Sequence, residues 1–146
     1  MQNLLKGSPM SAGAIILISV LGLSSAFGIY RRLTDGRIHE TPQHEHVACL
    51  DIASQLGSRA TLLQFSSQFC QPCKATRVLL SDVVSHENGV AHIEVNAEEH
   101  LDLVKQLGIM RTPTTLVLDH TGAIVGKAVG LPKRSEVTAA LAEVLV

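Results

Sequence analysis

One long uncharged segment near the N-terminus sets the first limit on how this chain folds. Residues 10–30 contain no charged side chain. As a helix they would be about 31 Å long, which matches the hydrocarbon thickness of a bilayer. Two arginines follow, as the flank of a membrane helix would. We therefore expect a short tail over residues 1–9 and a transmembrane anchor over residues 10–30. The alternative is a signal peptide that is cleaved near the small residues 24–26.

The charges on either side of this segment favour one orientation. The N-terminal flank carries Lys6 and the α-amine. The C-terminal flank carries Arg31, Arg32 and Arg37. Because the cytoplasmic flanks of membrane helices are enriched in Lys and Arg, this excess favours a cytoplasmic C-terminal region. The sequence therefore predicts a single-pass membrane protein whose larger part faces the cytoplasm.

The composition excludes some classes of function. Hydrophobic residues make up 46% of the 146 residues and charged residues 17%, as in globular or membrane proteins rather than disordered ones. The formal net charge of −1 and the absence of Trp provide neither a basic surface nor a stacking platform, so we expect no nucleic-acid partner. The three cysteines are too few for a disulfide scaffold.

A polar stretch separates the apolar segment from a region in which helical and strand patterns alternate. Residues 31–45 have no apolar periodicity and contain Asp35-Gly36 and Thr41-Pro42, so they predict a linker. The folded domain is expected over residues 46–146. Its predicted elements, in chain order, are a helix over 47–56, a strand over 61–65, a helix over 72–86, a strand over 90–96, a helix over 98–107, strands over 114–118 and 123–129, and a helix from 135.

The order of these elements predicts an α/β fold. The first strand–helix–strand unit favours parallel pairing through a right-handed crossover. The turn residues 119–122 between the last two strands favour an antiparallel hairpin. The expected result is a mixed central sheet with helices on both faces.

Two cysteines three residues apart are the main candidates for chemistry. Cys70 is expected at the start of the helix that follows the first strand, where unpaired N–H groups and the helix dipole stabilise a thiolate. Pro72 suits the first helical turn. We predict that Cys70 attacks a disulfide and that Cys73 then resolves the mixed disulfide. Half of a zinc site, a structural disulfide and two buried thiols are the alternatives, although a zinc site needs further ligands and no second Cys pair exists.

Two motifs resemble the thioredoxin family, and the resemblance covers residues 46–146. The first is Gln-Phe-Ser-Ser-Gln-Phe-Cys-Gln-Pro-Cys-Lys over residues 64–74. The second is Gly-Ile-Met-Arg-Thr-Pro-Thr over residues 108–114, and Gly130 precedes the last helix as a family member's glycine would. Two motifs at this separation are much more specific than either one alone.

The resemblance implies a thioredoxin-like fold after the transmembrane helix. It implies a cis peptide bond between Thr112 and Pro113, beside the cysteine pair. Backbone groups of Thr112 would pair with a substrate peptide as an added strand. Family members are protein disulfide reductases, oxidases or isomerases, and some are tethered to membranes. The implied partners are protein disulfides or dithiols and an electron-transfer partner that resets the cysteines, and no cofactor or metal is expected.

Three positions depart from the pattern of many family members. Phe69 stands in place of Trp, Gln71 in place of Gly, and Gln64 in place of a buried Asp that assists proton transfer at the second cysteine. Gln64 cannot accept a proton, whereas Glu94 on the neighbouring predicted strand can. We therefore predict that Glu94 is the proton acceptor for Cys73, directly or through water. The alternative is that Glu94 faces solvent at a strand edge.

The leading interpretation is a protein thiol–disulfide oxidoreductase, a disulfide reductase that serves cell redox homeostasis. Two other classes stay open. One is a metal-binding or metallochaperone module that uses Cys70 and Cys73. Further ligands would come from the cluster of His39, His44, His46 and Cys49. The other is a non-catalytic adaptor that binds extended peptides beside Pro113.

Overall fold

The computed structural model describes residues 12–34, 38–40 and 53–145. The chain divides into two compact units between Thr34 and Asp35. The helices are α1 (Ala12–Thr34), α2 (Gln71–Val84), α3 (Leu101–Gln106) and α4 (Arg134–Val144). The strands are β1 (Ile38–Glu40), β2 (Ala60–Ser66), β3 (Val90–Asn96), β4 (Thr114–Asp119) and β5 (Ile124–Val129). A 3-10 turn spans Ala53–Gln55.

Helix α1 contains the apolar segment that the sequence singles out. Its stretch Gly13–Arg31 has 19 residues and a mean hydropathy of 2.0, and none of this stretch is buried in the protein. The hydroxyl of Ser19 donates to the carbonyl of Ile15 at 2.8 Å, so this polar group is satisfied within the helix. By length and composition α1 suits a membrane span, and a signal sequence has the same properties.

The described part of the second unit contains a mixed five-stranded sheet in the order β1-β5-β4-β2-β3. Strands β2 and β3 are parallel and are connected through α2, as the strand–helix–strand pattern predicts. The other pairs are antiparallel, including the β4–β5 hairpin. The mixed sheet expected from the sequence is therefore confirmed.

Apolar side chains fill both faces of this sheet. The face toward α3 is packed by Leu63, Phe65, Ile93, Val95, Leu103, Leu107, Ile109, Leu116, Leu118 and Ile124. The face toward α2 and α4 is packed by Ala60, Leu62, Leu80, Val83, Val90, Val117, Val137 and Leu141. Strand β2 lies between β3 and β4 and is buried on both faces, so its apolar residues pack into both clusters, and its polar residues Thr61, Gln64 and Ser66 are buried as well.

Residues 38–40 differ from the expected linker because they form β1. This strand pairs antiparallel with β5, and Ile38 packs against the α2–α4 side of the core. A strand of three residues is too short to show an alternating pattern, and it forms only because β5 offers it a partner. The sequence alone therefore did not reveal it.

Two predicted helices also differ from the structure. Most of the predicted helix over 47–56 lies outside the described residues, and its last part forms only the 3-10 turn. Helix α3 begins later than expected because Asn96 forms a turn before it. The Asn96 side chain accepts from the N–H of Glu98 at 3.1 Å and donates to the Glu99 carboxylate at 2.7 Å. Such side-chain bonds compete with the helix for these residues.

The burial of β2 leads to a test of stability. Leu62 is fully buried, whereas Val78 on the outer face of α2 is 69% exposed. We expect Leu62→Ala to lower the free energy of unfolding by about 2–5 kcal/mol, because a cavity remains at a site packed on all sides. Val78→Ala is the control and should change it by less than about 0.5 kcal/mol. Urea denaturation of the full chain in detergent micelles measures both, and equal losses would contradict this account of the core.

Candidate active site

The cysteine motif lies where β2 ends and α2 begins. Cys70 is the N-cap residue of α2, and Pro72 lies in the first turn. The sulfur of Cys70 accepts a hydrogen bond from the backbone N–H of Cys73 at 3.1 Å. Because this N–H belongs to the positive end of the helix dipole, the position stabilises negative charge on the Cys70 sulfur.

The two cysteines are joined by a disulfide, and they differ in exposure. Their Cα atoms are 5.2 Å apart. Cys73 is only 2% exposed, whereas Cys70 is partly exposed. A substrate disulfide can therefore approach Cys70 more easily than Cys73. This asymmetry favours Cys70 as the nucleophile and Cys73 as the residue that attacks Cys70 from within.

The loop before β4 contains the second motif. The Thr112–Pro113 peptide bond is cis, as the resemblance implied. The hydroxyls of Thr112 and Ser67 are hydrogen-bonded at 3.0 Å, which connects this loop to the turn before Cys70. The carbonyl of Pro113 accepts from the N–H of Gly130 at 2.8 Å, and Gly130 has a φ of 93°, which favours glycine. These contacts hold the loop before β4 and the loop after β5 together beside the cysteine motif.

Exposed apolar side chains flank the motif in sequence. Phe69, directly before Cys70, is 94% exposed, and Met110, in the loop before Pro113, is 92% exposed. Leu131, directly after Gly130, is also exposed. Met110 and Leu131 do not stand out in the sequence, because isolated apolar residues are common at protein surfaces. In the structure both are exposed in loops next to the residues of the motifs.

A buried amide lies behind Cys73. Gln64 is fully buried on β2, and its side-chain nitrogen donates to the Cys73 carbonyl at 3.0 Å and to the Ser66 hydroxyl at 2.9 Å. Its side-chain oxygen accepts from Nε2 of His92 at 3.1 Å. Every hydrogen-bonding group of this side chain therefore has a partner, so Gln64 fixes the first turn of α2 without titrating.

The bonds of His92 determine its protonation. Since the oxygen of Gln64 is an acceptor, Nε2 of His92 carries the hydrogen, and Nδ1 lies 3.3 Å from the Ser81 hydroxyl. Burial lowers the pKa of His92, and Glu94 opposes this only in part. His92 is therefore a neutral donor at neutral pH. The sequence patterns did not indicate that His92 belongs to the site.

Glu94 lies opposite Gln64 in the parallel β2–β3 pair. One of its oxygens accepts from the Ser66 hydroxyl at 2.5 Å and from Nη2 of Arg77 at 2.8 Å, while the other lies 2.5 Å from Nε of Arg77. Burial acts to raise the pKa of Glu94, but the hydrogen bonds from Arg77 and Ser66 outweigh it and the pKa is lowered. Strand β3 is at the edge of the sheet and Glu94 is exposed, as in the alternative interpretation, but its carboxylate is bound by Arg77 and Ser66.

A cavity of about 330 Å³ connects the cysteines with this polar network. Its lining residues are Ser66, Ser67, Gln68, Cys70, Cys73, Lys74, Arg77, Glu94 and Asn96. The structure thus brings together three of the predicted site residues, Cys70, Cys73 and Glu94. Among the lining residues Glu94 carries the only carboxylate.

The metal-binding alternative requires a cluster of ligand side chains. Within residues 12–34, 38–40 and 53–145, no group of three or more His, Cys, Asp or Glu side chains could hold a metal ion. His44, His46 and Cys49, which the metal alternative invokes, lie outside these ranges. That alternative stays a prediction.

Comparison with known proteins agrees with this fold and site. The family model described as thioredoxin matches residues 49–143. The mitochondrial thioredoxin of Bos taurus is 29% identical over 85 residues, which cover 58% of this chain and 51% of the relative. The mitochondrial thioredoxin of Mus musculus is 28% identical over 85 residues with the same coverage. The chain thus spans about half the length of these curated relatives.

Solved structures show the same fold. The oxidized form of mitochondrial thioredoxin 3 from Saccharomyces cerevisiae superimposes with a TM-score of 0.54 at 18% identity, covering 64% of this chain and 84% of that one. A thioredoxin from Nicotiana alata superimposes with a TM-score of 0.55 at 22% identity, covering 64% of this chain and 79% of that one. Because the family model matches well over half of its length and includes both cysteines of the motif, this chain belongs to the thioredoxin family.

Proposed function

We propose that this protein is a thiol–disulfide oxidoreductase that acts on disulfides of other proteins. One observation carries the proposal. The sulfur of Cys70 occupies the N-cap of α2, within hydrogen-bond distance of the Cys73 N–H, and its disulfide partner Cys73 is buried behind it. A helix N-terminus lowers the pKa of a cysteine, and a low pKa produces the reactive thiolate near neutral pH.

The proposed reaction proceeds in two exchanges. The Cys70 thiolate attacks one sulfur of a substrate disulfide, a Cys70–substrate disulfide forms, and the first substrate thiolate leaves. The Cys73 thiolate then attacks the Cys70 sulfur, the Cys70–Cys73 disulfide forms, and the second substrate thiolate leaves. The substrate gains two electrons and the protein loses two. A separate electron-transfer partner must reduce the pair again before the next cycle.

The proposed substrate is an extended peptide segment that carries the disulfide. Backbone groups of Thr112, beside the cis bond to Pro113, would pair with this segment as an added strand. The exposed side chains of Phe69, Met110 and Leu131 would supply apolar contacts on either side. The bond between Thr112 and Ser67 supports this role because it holds the binding loop against the turn before Cys70.

We further propose that the protein is a membrane-anchored reductase that contributes to cell redox homeostasis. The apolar surface of α1 supports anchoring, since it is long enough to cross a bilayer and none of it is buried in the protein. The arginines after the apolar segment favour a cytoplasmic side for the second unit. A reductase role suits that side, because cytosolic thiols are kept reduced.

Redox titration of the full chain in detergent micelles tests the activity. Equilibration with thiol–disulfide buffers should give a reversible two-electron transition in the wild-type protein and none in Cys70→Ser. A reductase should have a midpoint near or below about −250 mV. Cys49→Ser is the matched control and should keep the wild-type midpoint. A midpoint near about −120 mV would contradict the reductase role, and thiols held by a metal would contradict the whole proposal.

Substitution in the apolar rim tests the substrate surface. We expect Met110→Ser to raise the KM for a disulfide-bonded protein substrate about 3- to 10-fold, because about 1 kcal/mol of apolar contact would be lost. The midpoint of the cysteine pair should not change. Val78→Ser removes a comparably exposed apolar side chain from α2 and should change neither quantity. A KM that is equally insensitive to both substitutions would remove Met110 from the substrate surface.

Mass and accessibility measurements test the anchor. The intact protein from membranes should retain the segment over residues 10–30 and resist extraction by alkaline carbonate, because a membrane helix is held by its apolar surface. A membrane-impermeant thiol reagent should label the reduced Cys70 only in vesicles whose cytoplasmic face is outside. A product that begins near residue 27 would instead identify a cleaved signal peptide.

A further inference from the structure

The hydroxyl of Ser66 connects the buried amide of β2 with the carboxylate of β3. Ser66 is 6% exposed, accepts from the Gln64 amide at 2.9 Å and donates to Glu94 at 2.5 Å. A hydroxyl has one hydrogen and two acceptor lone pairs. With the hydrogen directed to Glu94 and one lone pair used by Gln64, a second lone pair is left for a thiol or a water molecule.

Cys73 must lose a proton that Gln64 cannot accept. Cys73 is almost fully buried, and burial of a thiol in an apolar environment disfavours its thiolate. It must nevertheless lose its proton before it attacks the Cys70 sulfur. The amide of Gln64 contacts the Cys73 carbonyl but accepts no proton at neutral pH. The acceptor must therefore lie elsewhere.

Ser66, Glu94 and Cys73 line the same cavity of about 330 Å³, which is large enough to hold water. The carboxylate of Glu94 is the only one among the lining residues. It is also held in place, because both of its oxygens contact the guanidinium of Arg77. The cavity thus contains a base of fixed position and a hydroxyl already bonded to it.

We propose that Ser66 relays the proton of Cys73 to Glu94 during the resolving step and that Arg77 positions the carboxylate that receives it. This inference rests on the proposed oxidoreductase function and assigns two further residues to that site. Gln64 and Glu94 lie opposite each other in the β2–β3 register, and the hydroxyl of Ser66 is bonded to both side chains.

The resolving step transfers one proton and exchanges one disulfide bond for another. The Cys73 thiol gives its proton to the Ser66 oxygen, directly or through one cavity water, while Ser66 gives its own hydrogen to Glu94. The Cys73 thiolate attacks the Cys70 sulfur, the Cys70–Cys73 bond forms, and the bond between Cys70 and the substrate breaks. The electron pair of that bond leaves with the substrate thiolate. Glu94 releases the proton to solvent and regains its charge.

The groups around Glu94 keep its carboxylate ionised, so it can accept a proton. Arg77 and Lys74 on α2 are cationic, and His92 on β3 is neutral. On β2 the neighbouring groups are Ser66 and Gln64, which do not titrate in this range. The pKa of Glu94 lies below its ordinary value, so the carboxylate is ionised at neutral pH. Because this pKa is well below that of a thiol, Glu94 holds the proton only transiently.

The resolving step can be measured on the reduced full chain in detergent micelles, with Cys49→Ser in every variant so that Cys70 and Cys73 are the only thiols of the sequence. The probe is dithiobis-nitrobenzoate, an aryl disulfide that releases a coloured thiolate. Attack by Cys70 releases one thiolate at a rate that rises with probe concentration. Attack by Cys73 releases the second at a rate that does not depend on probe concentration. Cys73→Ser should show the first phase alone, which identifies the second phase as the resolving step.

Glu94→Gln should slow the second phase by about 10- to 100-fold near neutral pH and leave the first phase unchanged, because proton transfer by a positioned base contributes at least this much. Ser66→Ala should slow it similarly. The double variant should be no slower than the slower single variant, since both residues act in one path. Glu143→Gln removes the same charge from an exposed position on α4 and should change neither phase.

Two further variants separate proton transfer from structural support. Ser66→Thr keeps a hydroxyl and should restore most of the rate that Ser66→Ala loses. Arg77→Gln removes the hydrogen bonds that lower the pKa of Glu94, so this pKa should rise. Below its pKa Glu94 is protonated and accepts nothing. The pH below which the second phase slows should therefore be higher in Arg77→Gln than in the wild-type protein. A merely structural role of Arg77 would not shift this pH.

The possible outcomes distinguish this inference from the function on which it rests. If the wild-type protein shows no second phase, the proposed oxidoreductase function fails. If the second phase is present but Glu94→Gln leaves its rate and pH profile unchanged, the relay is wrong and Cys73 loses its proton directly to solvent. If Glu94→Gln slows the phase but Ser66→Ala does not, Glu94 receives the proton without Ser66.

Discussion

The double-sided burial of β2 is the constraint on which the rest of the second unit depends. This strand pairs with β3 and β4, and its side chains enter the core on both faces of the sheet. Packing fixes its position across the sheet, and the register with β3 and β4 fixes it along its own axis, so its last residue, Ser66, has a defined place. The turn that follows places Cys70 at the start of α2, so the rigidity of the core determines where the reactive sulfur lies.

The same burial explains the polar network behind the cysteines. A polar side chain at the position of Gln64 is tolerated in the core only if each of its groups is hydrogen-bonded, and Ser66, His92 and the Cys73 carbonyl supply those partners. An amide satisfies the backbone of Cys73 but takes no proton. The neighbouring strand carries the carboxylate instead, at a place where Arg77 can reach it from solvent. The buried amide and the carboxylate thus lie on two neighbouring strands, and the Ser66 hydroxyl joins them.

Local sequence patterns predicted much of this arrangement, and the features that they did not predict have physical causes. The alternation over β3 and the turn before β5 were sufficient to predict both, because strand periodicity and turn chemistry are local properties. The edge strand β1 was missed because its formation depends on β5, about 90 residues away in the chain. His92 could not be assigned to the network from the sequence, because nothing in its sequence neighbours indicates that the oxygen of Gln64 faces it.

The sequence by itself determined the type of chemistry. Two cysteines three residues apart can form a disulfide with each other, and the strand-to-helix junction around them places the first one at a helix N-terminus. It also determined the apolar segment and the mixed α/β fold, which follow from hydrophobic patterns along the chain. Only the tertiary structure decided which polar groups surround Cys73. Glu94, Ser66 and Arg77 come from three different elements, and they meet because the parallel β2–β3 register and the packing of α2 bring them to one cavity. Contacts of this kind depend on distances across the fold, which no local pattern specifies.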